Sequence, residues 1–209
     1  MKPTGRWAAF EALAACAAIL AYIWVFREAC VWLWAPFLAA VFASHWLRGE
    51  SPSRLGFRVA GLGRAAAAMA PWVAIVLAAL VVIGVAGGTI HRFRPARAVS
   101  NLALYLGWGI VQQYLLNGYF LNRLRPAFGD RRAPFMAALL FCGAHLPNPF
   151  LALLTLVGGY ICSRLYLRFG NLWVPGLAHG LVGFTLHLVT PPEVSGGFLV
   201  GPRYLDRWR

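Results

Sequence analysis

Polar side chains are scarce in the long apolar runs of this chain, which makes the few that occur the candidates for chemistry. Gln112 and Gln113 are adjacent near the middle of one run, and Asn117 follows Gln113 by four residues, on nearly the same face of a helix. His145 follows Phe141 by four and Cys142 by three, just ahead of Pro147. His179 lies mid-run, with Gly183 one turn later and His187 a further turn on. The plainest reading makes the amides interhelical hydrogen-bond glue and the histidines satisfied core residues. A second has His145 or His179, neutral when buried, act as general base, with Gln112 or Gln113 orienting a water or donating to an oxyanion. A third has Cys142 as a nucleophile activated by a histidine. A fourth has His145 and His179 hold zinc, with His45, His187 or Cys142 as third ligand; the other readings need no cofactor.

The elements that must position these residues are helices in a bilayer. Of 209 residues, 60% are hydrophobic and 12% charged, too apolar for a soluble domain. Runs of roughly 20 apolar residues, the length that crosses the hydrocarbon, recur along the chain. Spanning segments must pair their own backbone groups, so the fold class is all-α: a polytopic transmembrane bundle of about seven spans. The expected spans are 7–26, 30–47, 70–90, 99–121, 133–146, 150–168 and 171–190, separated by turn-forming stretches such as Pro126 to Pro134, Pro147-Asn148-Pro149 and Gly170-Asn171. This divides the chain into an amino-terminal part, 1–98, a polar-motif core, 99–190, and an interfacial tail, 191–209, anchored by Tyr204 and Trp208. No length remains for a soluble catalytic or nucleic-acid-binding domain.

The net charge of +13 points to topology, because the arginines lie in the links and form no basic stripe for nucleic acid. Twelve of the nineteen basic residues fall on one side if the amino terminus is internal: Lys2 and Arg6; Arg48, Arg54, Arg58 and Arg64; Arg123, Arg125, Arg131 and Arg132; Arg164 and Arg168. The positive-inside rule then places the amino terminus in the cytoplasm and, for seven spans, the carboxyl terminus outside; the expected location is a bacterial-type inner membrane. Cys16, Cys30, Cys142 and Cys162 lie in or beside apolar runs without disulfide or zinc spacing. The first apolar run is expected to be a retained span, since Glu11 interrupts it and it continues to Phe26, unlike a signal peptide. Glu11 is expected to snorkel to the interface near Arg6, and Glu28 to sit in the first hairpin. Gly84-x-x-x-Gly88 offers a helix-packing face, weak evidence for a dimer.

Three segments resemble the CAAX protease and bacteriocin-processing (CPBP, or ABI) family of intramembrane proteases. Gln112-Gln113-Tyr114-Leu115-Leu116-Asn117-Gly118 lines up with that family's Glu-Glu-x-x-x-Arg-Gly motif, and Phe141-Cys142-Gly143-Ala144-His145 with its Phe-x-x-x-His motif. Asn171 through His179 is similar to the stretch leading into its His-x-x-x-Asn motif. The resemblance implies intramembrane peptide-bond hydrolysis: a glutamate and the first histidine activate water, and the second histidine and the asparagine hold the oxyanion. The implied partners are the lipid bilayer and a membrane-embedded or lipidated peptide or protein substrate. The chain departs from the pattern at Gln112 and Gln113, which replace both glutamates, at Asn117 in place of the arginine, and at Gly183 in place of the asparagine. An amide cannot take a proton at physiological pH, so a non-catalytic pseudoprotease that binds a membrane partner stays open. A small transporter lined by the glutamines ranks last, as no inverted repeat is visible.

Overall fold

Glycine decides where the helices cross. A Cβ at Gly180 would lie 2.6 Å from both the Leu106 Cα and the Tyr105 carbonyl oxygen, and one at Gly109 would lie 2.6 Å from Gly176 O and Gly180 N. The backbones of two helices therefore touch along a stripe of small residues, the geometry that lets apolar helices associate without large side chains. These two helices are the fourth and seventh of the chain.

The computed structural model describes residues 5–91 and 94–207, which form helices and turns and no strand among the described residues. The helices are α1 (Gly5–Ala21), α2 (Trp34–Leu47), α3 (Leu62–Ala86), α4 (Pro95–Gln113), α5 (Asn122–Gly143), α6 (Pro149–Phe169), α7 (Trp173–Val189), and the short α8 (Pro192–Ser195) and α9 (Pro202–Asp206). Helix α1 continues as a π-helical turn, Tyr22–Phe26, and α4 as a longer π-helix, Tyr114–Leu121. Three stretches, Gly5–Phe26, Leu62–Ala86 and Pro149–Phe169, are long and apolar enough to cross a membrane, while Val31–Leu47 and Trp173–Val189 are shorter apolar helices. Their outward faces are apolar: Trp72, Ile75, Val82 and Val85 of α3 are all exposed. The chain is an all-helical, multi-pass membrane protein.

Several expected boundaries move, each for a local reason. The third span begins at Leu62, because the alanines from 65 to 68 favour helix strongly, and it ends at Gly87 with Gly88 left-handed at φ 63°. The expected break from Pro126 to Pro134 shrinks to Gly129, whose φ of 70° and ψ of 168° suit glycine alone. Helix therefore persists from Pro95 through the π segment into the first part of α5. The fifth helix stops at Gly143, so His145 stands in the turn beyond it. Asn148 caps α6 by accepting the Leu151 N–H at 3.1 Å, with Pro149 in the first turn. Asn171 Oδ1 does the same for the Val174 N–H at 3.2 Å, and its amide donates to Arg58 O.

Gly84 does not face outward. A Cβ there would meet the Val189 side chain of α7 at 2.7 Å, so the Gly84-x-x-x-Gly88 pair serves contact within the chain and a turn. The tail folds back on the bundle end: Asn148 Nδ2 donates to Ser195 O and Leu199 O, Gly201 N donates to Leu146 O, and Arg203 pairs with Glu28. Tyr204 packs over Gly196, while Trp208 lies outside the described residues.

The links gather by charge at the opposite end. Gly5 abuts the Pro126 carbonyl, Arg58 donates to the carbonyls of Phe169 and Gly170, and Arg164 reaches Asp130 O. The basic links assigned to one side by sequence therefore meet at one end of the bundle.

Candidate active site

The α4–α7 crossing sets Gln113 against His179. Gln113 Nε2 lies 3.1 Å from His179 Nδ1, and Gln113 Oε1 accepts from Asn117 Nδ2 at 2.6 Å. With its oxygen so used, Gln113 donates through its nitrogen, which makes His179 Nδ1 an acceptor and leaves the proton on Nε2. Gln113 and Asn117 are fully buried. This neutral pair occupies the place of the glutamate and arginine of the resembling motif, and it avoids leaving either charge unpaired in the bundle. Asn117 Oδ1 is buried without a partner among the described residues.

His145 takes the opposite tautomer. Its Nδ1 donates to Phe141 O at 2.7 Å, so Nε2 carries the lone pair and accepts a long, 3.5 Å hydrogen bond from the Gln112 amide nitrogen. The Phe141 ring spans the two imidazoles, with centroids 4.8 Å from His145 and 5.9 Å from His179. Four of the expected residues, Gln112, Gln113, His145 and His179, thus come together from α4, α7 and the turn after α5, with Asn117 and Phe141 behind them. One imidazole offers an acceptor and the other a donor.

The remaining expectations sort by position. Both His145 nitrogens face Phe141 and Gln112, so the imidazole is not paired with the Cys142 thiol. Gly183 faces the Tyr105 ring, which a Cβ would meet at 3.2 Å, so the position of the motif asparagine is taken up by an aromatic ring. Of the other zinc-ligand candidates, His45 binds Glu50 and His187 stacks on Tyr105 with His91 nearby. Among the described residues no three His, Cys, Asp or Glu side chains group to hold a metal ion.

Sequence reasoning missed a second polar cluster. Glu11 is not snorkelling: its carboxylate accepts from Ser44, Arg48, Tyr119 at 3.1 Å and Arg123 Nε at 3.1 Å. Arg123 is 1% exposed and donates twice to Glu50, at 2.9 and 2.8 Å, while its guanidinium lies 5.2 Å from the Tyr119 ring centroid. Burial pushes the Glu50 carboxyl up, but hydrogen bonds from His45 and Arg123 outweigh it and hold the group down at about 2. Arg48 and Arg123, read from sequence as topology markers, here balance Glu11 and Glu50 and tie α1, the α2–α3 link and α5 together. Because Tyr119 belongs to the π-helix and Arg123 lies two residues past its end at Leu121, the cluster also fixes the segment that carries Asn117. Such π segments recur at functional sites. The available signal was a pair of acids and a pair of arginines flanking apolar runs in a chain with only six acids.

The helices therefore set two complementary imidazoles and two amides between apolar faces. Residues 94–185 match the family model described as type II CAAX prenyl endopeptidase Rce1-like, which bears out the resemblance read from the three motif segments. No curated protein and no solved structure matches the chain.

Proposed function

We propose that the chain is an intramembrane endopeptidase of the CPBP type, hydrolysing a peptide bond in a membrane-embedded or lipidated substrate. The observation that supports it is the opposed pair of tautomers flanking one aromatic ring, His145 with an acceptor nitrogen held only by a long contact to Gln112 and His179 with a donor nitrogen. His145 Nε2 removes a proton from water as the water oxygen bonds to the scissile carbonyl carbon. The carbonyl oxygen becomes an oxyanion that accepts from His179 Nε2–H. Collapse of the tetrahedral intermediate breaks the C–N bond, and the proton on His145 passes to the leaving amine. Gln112 orients the water and Gln113 fixes the His179 tautomer, so no carboxylate base enters. In the same reading α2, α4 with its π extension, α5 and α7 complete seven passes in a bacterial-type inner membrane, with the basic end and amino terminus cytoplasmic.

One observation favours a second reading, a pseudoprotease that binds without cutting: both motif glutamates are amides, which cannot accept a proton. Quenched-fluorescence hydrophobic peptides, with and without a prenyl group, separate the two. Cleavage by the wild type that falls about a hundredfold or more in His145→Ala and His179→Ala supports the protease. Cleavage only after Gln112→Glu and Gln113→Glu overturns it in favour of the pseudoprotease.

A further inference from the structure

A cleft of about 430 Å³ opens at the basic end of the bundle, lined by Asp130, Arg164, Leu165, Leu167 and Arg168, and by none of the residues of the candidate active site. Its size falls in the usual range for small-molecule sites, roughly 300–1,000 Å³. Arg164 and Arg168 are one helical turn apart on α6 and both exposed, so two guanidinium groups share one wall. The acid in the wall is already engaged: the Asp130 carboxylate takes both its hydrogen bonds from Arg125, at 2.7 and 3.0 Å. Arg164 donates to the Asp130 carbonyl at 3.4 Å and lies near enough to the Asp130 carboxylate to help hold it ionised, and Arg168 lies over the Phe169 ring, 5.2 Å from its centroid. The cleft therefore carries two cations against one acid whose hydrogen bonds come from a third, Arg125, with Arg131 and Arg132 following Asp130 in sequence.

Position in the fold says what meets these cations. Helix α6 is one of the three stretches long and apolar enough to cross a membrane, so its last turns lie where hydrocarbon gives way to headgroups. Arg168 is one residue and Arg164 five residues before its end at Phe169, about 1.5 and 8 Å along the axis. Leu165 and Leu167, half-buried in the same cleft, supply an apolar floor next to the charges. Cationic forks above an apolar floor match an anionic group joined to acyl chains, because guanidinium pairs with phosphate in bidentate geometry and anionic lipids attract basic residues at this depth.

We propose that this cleft is a binding site for the phosphate headgroup of an anionic phospholipid, held by Arg164 and Arg168 with the acyl chains against Leu165 and Leu167. The site is independent of whether the protein cleaves peptides. Purified full-length protein in neutral detergent is titrated with phosphatidylglycerol, phosphatidylcholine or inorganic phosphate, and the thermal midpoint is followed. Phosphatidylglycerol is expected to raise the midpoint saturably, and phosphatidylcholine is not. Arg164→Gln with Arg168→Gln weakens the apparent affinity for phosphatidylglycerol about 25-fold. Arg94→Gln with Arg97→Gln removes the same charge from exposed residues at the start of α4 and changes it by less than about twofold. Equal weakening in both double variants reduces the effect to bulk charge and overturns the proposal, as does an equal response to inorganic phosphate alone. If the cleft variant does not fold, native mass spectrometry of the wild type in mixed phosphatidylglycerol and phosphatidylcholine decides: selective retention of the anionic lipid supports the site, and equal retention of the two, or of neither, overturns it.

Discussion

Arg123→Gln tests the idea that a buried ion cluster, and not hydrophobic contact alone, locks α1 and the α2–α3 link onto α5. Arg123 is 1% exposed and bonds both Glu11 and Glu50, so the neutral variant leaves Glu11 with Arg48 as its one cation, beside the Ser44 and Tyr119 hydroxyls, and Glu50 with His45. Removing one partner of a buried ion pair costs about 3–5 kcal/mol, which for a chain of this size lowers the midpoint by about 6–20 °C. The buried thiols Cys16 and Cys162 become reactive on unfolding, so a thiol-reactive dye during a thermal ramp in detergent reads the loss. Arg125→Gln is the comparison two residues away. Its pair with Asp130 is 40% and 63% exposed, and such pairs are worth about 0–1 kcal/mol. Adding Glu50→Gln to Arg123→Gln should recover part of the loss, since the two residues share hydrogen bonds. An Arg123→Gln midpoint within about 2 °C of wild type, or equal losses in Arg123→Gln and Arg125→Gln, refutes the cluster as a keystone.

The remaining expectations follow from the same geometry. Because Glu50 is held at about 2, below its ordinary 4.5, its stabilising contribution is complete above 4.5 and disappears as pH falls toward 2. An acid unfolding series should therefore show a loss of up to about 3 kcal/mol across that window, absent in Glu50→Gln; a wild-type curve as flat as the variant's contradicts the assignment. Gly180→Ala places a methyl against Leu106 Cα and Tyr105 O, which are backbone atoms that cannot turn away. It should lower stability by about 1–3 kcal/mol and weaken any activity that depends on the Gln113–His179 contact. Gly107→Ala meets open space and should be neutral or stabilising by up to about 1 kcal/mol; equal melting losses in the two variants would show that the crossing is not backbone-tight.

The members of the candidate site were legible because polar residues are few in the spans, so Gln112, Gln113, His145 and His179 stood out by type alone. Their meeting was not legible, since it depends on the Gly109, Gly176 and Gly180 contact, and glycines at that spacing are common in an apolar chain with 22 of them. Periodicity found the helices but not their ends. Pro126 and Pro134 suggested a long break, whereas the backbone turns at Gly129 alone and the helix before it continues past Arg123. That continuation carries Arg123 inside the bundle and makes it a structural charge, where a link would have left it as a topology marker. Glu11 misled for a related reason. A lone acid near a helix end ordinarily reaches for water, but the arginines able to hold it come from residues 37 and 112 positions away.

The most direct test of the proposed chemistry is to incubate the purified protein with a hydrophobic or prenylated peptide in water enriched in oxygen-18 and read the products by mass spectrometry. The account predicts one labelled oxygen in the new carboxylate from the wild type, and loss of that product in both His145→Ala and His179→Ala. Product formed equally by the histidine variants, or formed only after Gln112→Glu and Gln113→Glu, would contradict it.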